Sequence, residues 1–377
     1  MSKRALTGAP ILTPLGWIDD HALLVEPPTI IGIVPATDIP AGFEIEQLAG
    51  GHLVPGFLDT QVNGGGGVLF NDSPTIGGIR TIAEAHQRFG TTALLPTLIS
   101  DDLDVIARGI AAVREAIATG VPGVIGIHIE GPFLNERKKG IHDGAKLREM
   151  DGAAVDLLAS LGVGKTLVTL APETVRPGLI AALTARGIVV SAGHTLATSE
   201  EMDRAMDEGL GAMTHLYNAM PPLAGREPGS VGTALSSPLI CGLIVDGHHV
   251  HPTALKAAFR AKGPDELMLV TDAMPTVGSD IVRFHIGGVE IVREAGALRS
   301  AEGTLAGSDL DMIAAVRNAV AMMQVDLETA CHMASATPAA LLGLAGMHGS
   351  LTPGARADIV HLTDALDVAG TWIGGVS

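Results

Sequence analysis

From about residue 56 onward, short apolar runs alternate with segments of helical period. TTALLPTLI, GVIGIHIE, KTLVTLAPE, IVVSAGH, AMTHLYNA, ICGLIVDG and ELMLVTDA read as strands. TIGGIRTIAEAHQRFG, DLDVIARGIAAVREAIATG, DGAAVDLLASLG, GLIAALTARG, TSEEMDRAMDEG and PTALKAAFRAKG carry apolar residues every three or four positions and read as helices. Strands that are apolar on both faces, with helices between them, are the mark of a parallel sheet covered on both sides. At 377 residues the chain is long enough for a parallel barrel of about 250 residues plus an accessory piece.

The two ends follow a different pattern. ALTGAPILT, WIDDHALLVE and TIIGIVPA are brief apolar runs separated by Pro, Gly and Asp turn signals, and the end from GSLTPGARADIVHLT to TWIGGVS is similar. The expected organisation is a small β domain from residues 1–55 and 348–377, around a barrel of residues 56–347. Three late helices are expected, over Asp309 to Val320, Leu327 to Ala336 and Pro338 to Leu344. The stretch REAGALRSAEGTLAGSD before them reads as a glycine-rich loop, and Phe284 to Arg299 as an inserted hairpin.

Four acidic or imidazole residues stand at the C-terminal ends of strand-like runs: Glu130, His194, His215 and Asp272. All strands of a parallel barrel end on one face, and catalytic groups come from those ends. One Glu and two His form a three-ligand metal site with a position left for water. A bound divalent ion lowers the pKa of water towards about 7 and polarises a carbonyl. Zn²⁺ suits the donor set, as do Fe²⁺, Mn²⁺ and Co²⁺. Asp272 is placed to take a proton from that water and return it to a leaving amine. Each residue alone has a plainer reading. A strand-end Glu is usually salt-bridged, a single His usually structural, and an Asp before Pro275 a turn residue. The set of four at one mouth argues for chemistry. His128, two residues before Glu130 on the same strand face, is expected to support the site or the core.

Composition narrows the partners. A net charge of −17 excludes broad contact with nucleic acid or anionic membrane, though a few cations could still focus on a small anionic substrate. Two cysteines, Cys241 and Cys331, make no disulfide framework, so a reducing compartment is expected. The first residues lack a signal-peptide pattern, and no apolar run is long enough to span a bilayer. A cytoplasmic location follows as an expectation.

HIEGPF, KKGIHDG, VSAGHT, THLYNAMPPLAGREPG, VDGHHV, LVTDAMP and GTLAGSDLDM together resemble the N-acetylglucosamine-6-phosphate deacetylases of the amidohydrolase superfamily, over nearly the whole chain. The resemblance implies a distorted (β/α)8 TIM barrel with a small β-sandwich built from both termini. It implies metal-dependent hydrolysis of the acetamide of N-acetyl-D-glucosamine 6-phosphate in amino-sugar metabolism. Activity on the galactosamine epimer and a silent sugar-phosphate binder are the alternatives, and the second predicts loss of one of the four strand-end residues. By motif, Glu130, His194 and His215 would hold the metal and Asp272 would be the acid/base. His142 would polarise the carbonyl beside Ile141. Asn218, Ala219 and the backbone of Leu305, Ala306 and Gly307 would hold the sugar. Arg226 and His249 would bind the 6-phosphate. The family's phosphate contacts imply a homodimer in which the neighbouring subunit contributes.

Arg226 also has a local rationale, because a guanidinium fork suits phosphate and its Pro- and Gly-rich loop is stiff. The plain alternative is a surface Arg paired with Glu227. Lys138 and Lys139 would add positive field. One departure concerns the first barrel strand, where many amidohydrolases carry a His-x-His pair for a second metal. Here Gln61 and Asn63 stand in DTQVNGGGG. Amides are weak ligands beside imidazoles, so one divalent metal per subunit is expected, with Gln61 hydrogen-bonded to its water. The run Gly64 to Gly67 lacks the phosphate-loop patterns, so nucleotide binding is rejected.

Overall fold

The computed structural model describes residues 2–377. Eight parallel strands follow one another round a barrel in chain order: β1 (Phe57–Val62), β2 (Thr91–Ile99), β3 (Gly126–Glu130), β4 (Lys165–Leu170), β5 (Val189–Ala192), β6 (Ala212–Met213), β7 (Ile240–Leu243) and β8 (Leu267–Leu269). Every residue of β1, β2 and β3 is buried, because one face meets the barrel interior and the other meets the helices. The ring closes between β1 and the segment after β8. Val62 and Ala273 form a parallel bridge, and the Asp272 N–H donates to the Gln61 carbonyl at 3.0 Å.

The helices present one apolar stripe each to the strands. Leu103–Ala118 buries Ile106, Gly109, Ile110, Val113 and Ala116, a spacing of three and four residues. Ser199–Asp207 starts at Thr198, whose hydroxyl accepts from the Glu201 N–H while the Glu201 carboxylate accepts from the Thr198 N–H. The late helices are Met312–Asn318, which runs on as a π-helical segment over Ala319–Met323, then Leu327–Ala334 and Ala336–Leu341; the first lies three residues later than the periodicity suggests and the other two end two or three residues earlier. A further helix, Gly229–Ser236, has no counterpart in the sequence reading. Its run GSVGTALS is built of small residues and is buried continuously from Gly229 to Ala234, so it shows no alternation of apolar and polar faces. No helix among the described residues is long and apolar enough to cross a membrane.

The terminal segments form two sheets. Arg4–Thr7, His21–Glu26, Thr29–Pro35 and Glu44–Gln47 make one; Ile11–Thr13, Gly16–Ile18, His52–Pro55, Ile359–Leu362 and Val368–Trp372 make the other. Leu6, Ile11, Leu23, Ile30, Leu53, Ile359 and Trp372 pack in one cluster between them. The late strand Ile359–Leu362 pairs antiparallel with His52–Pro55, which joins the two ends of the chain.

The glycine-rich stretch after Arg293 is not a loop. A four-stranded antiparallel sheet runs through Arg283–Ile286, Val289–Glu294, Ala297–Ser300 and Leu305–Ser308. Its first two connections are two-residue turns, Gly287–Gly288 and Ala295–Gly296, with all four residues at positive φ. That backbone matches the twist of paired strands, so the small residues there mark tight hairpins rather than open chain.

The seam between β1 and β8 holds a buried carboxyl. Asp59 accepts from the Thr271 hydroxyl and from the N–H of Gln61. Burial pushes its pKa up to about 7, against those hydrogen bonds. The folded chain thus keeps a proton there that the unfolded chain releases near its ordinary value of 3.8. Within that window the folded state binds more protons, so this group's contribution to stability falls as pH rises from about 4 to about 7. Asp59→Asn is isosteric and neutral. Its Tm relative to the parent is expected to be higher at pH 8 than at pH 5. A Tm difference that does not change between the two pH values would contradict this account.

Candidate active site

Glu130 is the last residue of β3. His194 lies two residues beyond β5, His215 two beyond β6 and Asp272 three beyond β8. These last three all have positive φ, at 48°, 32° and 53°. Such backbone is uncommon outside glycine and is held only where the surroundings impose it. Tyr217 and Ala219 continue the pattern at 80° and 55°. The strand read across AMTHLYNA therefore stops at Met213, and the chain twists across the barrel mouth instead.

Three donor atoms converge there. Glu130 Oε1 lies 3.1 Å from His194 Nε2 and 2.9 Å from His215 Nε2, and the two Nε2 atoms are 3.1 Å apart. All three side chains are buried. His194 Nδ1 is 2.8 Å from the Lys138 carbonyl. A carbonyl only accepts, so Nδ1 carries the hydrogen, and Nε2 of the neutral ring offers a lone pair. Two imidazole nitrogens and a carboxylate oxygen this close repel unless a proton or cation lies among them. Around Zn²⁺, with ligand bonds of about 2.0–2.1 Å, a tetrahedral edge is about 3.3 Å, close to the separations seen. The Lys138 carbonyl behind His194 is the outer partner that orients such ligands. The donor set therefore fits a divalent metal.

Electrostatics agree with this. Burial works to raise the Glu130 pKa, but hydrogen bonds and charge from His194 and His215 hold it well below the usual carboxylate range. Burial works to lower the His215 pKa, and the Glu130 carboxylate raises it overall. Asp272 goes the other way. Burial first, then the Glu130 charge, raise its pKa to about 6.

Two amides surround Asp272. Asn63 Nδ2 donates to Asp272 Oδ1 at 2.6 Å, and Gln61 Nε2 donates to the same oxygen at 3.1 Å. Gln61 Nε2 also lies 3.2 Å from Glu130 Oε2. Gln61 thus spans the two carboxylates, a use for its amide that the expected contact with water did not include. With both amides on Oδ1, the other oxygen of Asp272 is left for proton transfer.

His142 reaches the same place. The Ser100 N–H donates to His142 Nδ1 at 3.2 Å, so Nδ1 is the acceptor nitrogen. Burial lowers its pKa to about 3 and keeps the ring neutral. Its hydrogen therefore sits on Nε2, as a donor. Ser100 ends the β2 region, and its part was invisible in the sequence. His128 is buried and neutral, its pKa lowered to about 4 by burial, with Nε2 2.8 Å from the Thr169 hydroxyl. It supports the interior beneath Glu130.

These groups line a cleft of about 330 Å³. Ile141, His142, Asn218, Ala219, His249, Leu305 and Gly307, all named by the motifs, line it. His249 Nδ1 is 2.6 Å from Asp246 Oδ2. Ala306 is buried in the apolar cluster beside the inserted sheet instead of facing the cleft. Arg226 is exposed and does not line the cleft of its own chain. It makes no ion pair with Glu227, whose carboxylate accepts from the N–H groups of Ser199 and Gly229. Arg137, at the cleft wall, was not singled out in the sequence.

The family model for amidohydrolases matches residues 52–377. The chain belongs to the amidohydrolase family. Among its relatives, this amidohydrolase is 44% identical to the N-acetylgalactosamine-6-phosphate deacetylase of Shewanella sp. (strain ANA-3), over 98% of this chain and 94% of that one. It is 39% identical to the human N-acetylglucosamine-6-phosphate deacetylase, over 88% of this chain and 84% of the relative. The crystal structure of N-acetylglucosamine-6-phosphate deacetylase from Pasteurella multocida superposes with a TM-score of 0.96 at 33% identity, covering 99% and 98% of the two chains. An aspartate-to-alanine variant of the Mycobacterium smegmatis deacetylase, solved with N-acetyl-D-glucosamine 6-phosphate, gives 0.91 at 31% identity, covering 100% and 99%. The fold of this amidohydrolase is the (β/α)8 barrel with a small β-sandwich.

Proposed function

We propose that this chain hydrolyses the acetamide of N-acetyl-D-glucosamine 6-phosphate to D-glucosamine 6-phosphate and acetate, in amino-sugar metabolism. One juxtaposition carries the reading. A carboxylate of raised pKa, a neutral imidazole donor and a Glu–His–His donor set face one cleft in a chain similar to deacetylases of this class.

The roles follow from chemistry. Glu130, His194 and His215 hold one divalent metal, which when bound acidifies water and polarises the amide carbonyl. Asp272 takes a proton from the attacking water as its oxygen bonds to the acetamide carbon. The His142 Nε2–H donates to the carbonyl oxygen as charge develops there. Asp272 then returns the proton to the nitrogen as the C–N bond breaks, leaving acetate and the amine. Asn218, Ala219, Ile141 and the Leu305–Gly307 backbone hold the sugar, and His249 holds the phosphate. Zinc suits the nitrogen-rich donor set. Arg226, exposed and without an internal partner among the described residues, is suited to reach the phosphate of a neighbouring subunit in a homodimer. Two buried free thiols fit a reducing cytoplasm.

A second reading has its own support. The relative at 44% identity is named for the galactosamine epimer. Comparing kcat/KM on the two N-acetylhexosamine 6-phosphates decides between them. The glucosamine reading expects a higher value on that epimer, and the reverse order would replace it with the galactosamine reading.

A further inference from the structure

We infer that Arg137 is a phosphate ligand supplied by the same chain, and that it sets a preference for phosphorylated over non-phosphorylated N-acetylhexosamines. The inference rests on the deacetylase reading and assigns part of that site.

A sugar phosphate brings a dianion into a cleft that already holds the carboxylates Glu130 and Asp272. Like charges repel across a poorly solvated space, so the phosphate has to sit away from both carboxylates and against a cation. Arg137 and Lys138 are the lysine and arginine side chains that line this cleft. Lys138 Nζ is committed to the Met220 carbonyl at 3.0 Å, and the neighbouring Lys139 Nζ to the His142 carbonyl at 3.1 Å. The Arg137 guanidinium makes no hydrogen bond or ion pair among the described residues. Among the described residues it is the lysine or arginine on the cleft wall that has no partner, and a guanidinium fork matches phosphate oxygens better than an ammonium does.

The backbone beneath it is fixed to the metal-binding residues. Arg137 lies in the short turn Glu136–Lys138. Asn135 Oδ1 accepts the Arg137 N–H at 3.0 Å, and Asn135 Nδ2 donates to Glu173 Oε1 at 2.9 Å. Glu173 also accepts from the Leu196 N–H at 2.6 Å and from the Thr195 hydroxyl. The Asn135 N–H donates to the His194 carbonyl at 3.0 Å, and the Lys138 carbonyl accepts from His194 Nδ1. The turn that carries Arg137 and the loop that carries His194 are therefore one hydrogen-bonded unit. The backbone of Arg137 is therefore fixed, and only its exposed side chain has to be ordered when it binds an anion.

The test compares the parent, Arg137→Ala and Arg137→Lys, each loaded with metal. It measures kcat/KM on a hexosamine 6-phosphate and on the same sugar without phosphate, and the inhibition constant of inorganic phosphate. Arg137→Ala is expected to lower the phosphorylated-to-plain ratio about 10- to 100-fold, the range for losing a hydrogen bond between charged groups, mostly through KM. Phosphate inhibition should weaken with it, and Arg137→Lys should recover part of both. An equal fall on both sugars with unchanged phosphate inhibition would overturn the inference and make Arg137 a support for the His194 loop. No change in either measure would overturn it too. If the parent releases acetate from no hexosamine 6-phosphate, the deacetylase reading fails. Calorimetric binding of inorganic phosphate then still decides on Arg137, with weaker binding by Arg137→Ala supporting its role and equal binding refuting it.

Discussion

Asp272→Asn is expected to lower kcat about 10²- to 10⁴-fold, the usual worth of a positioned acid/base, while metal content stays at the parent level. The substitution removes basicity and little else. Asn63 and Gln61 both donate to Oδ1, and an amide oxygen at that position can still accept from both. The positive-φ backbone at Asp272 also tolerates asparagine, a residue enriched in that region. Shape and metal site should therefore survive, with KM close to that of the parent. The measurement is kcat beside metal content by elemental analysis. Parent-level kcat in the variant would remove Asp272 from the mechanism. A joint loss of metal and activity would make it a structural support instead.

His215→Ala is expected to abolish activity for a different reason. It deletes one of three donor atoms that lie within 3.1 Å of one another. Loss of an outer partner of a ligand costs about 10- to 100-fold in metal affinity, and loss of a ligand should exceed that. Dialysed variant should hold well under one equivalent of metal and release acetate at a small fraction of the parent rate. Thermal stability gives a second readout. Metal at about 1,000 times its Kd stabilises the parent by about 4 kcal/mol through mass action, and the variant should gain far less. A variant with a full equivalent of metal and the parent's metal-induced Tm shift would contradict the assignment.

Much of this site was legible because a parallel barrel brings strand ends together whatever their distance along the chain. Glu130, His194, His215 and Asp272 each follow a buried apolar run, and the structure gathers them at one mouth. What the pattern could not show lies beyond those runs. The segment from His215 to Ala219 is apolar enough to read as strand, yet three of its residues turn to positive φ. Hydrophobicity carries no signal for that. The stretch from Ala297 to Ser308 looked like loop because small residues that close tight hairpins are the same ones that fill open chain. The amide of Gln61 was expected to hydrogen-bond the metal's water, whereas its reach to both Glu130 and Asp272 depends on the closure of β1 against β8. Arg137 was not singled out because Lys138 and Lys139 beside it were expected to supply the positive field. Only the contacts of Lys138 and Lys139 set it apart.

The central claim is that the three-donor cluster and Asp272 together hydrolyse an amino-sugar phosphate amide. The most direct test is acetate release from N-acetyl-D-glucosamine 6-phosphate by purified protein as loaded with metal, after chelation, and after Zn²⁺ is restored. The account predicts release that chelation removes and metal brings back. Release that persists at full rate in protein shown to be metal-free, or no release from folded, metal-loaded protein on either epimer, would contradict it.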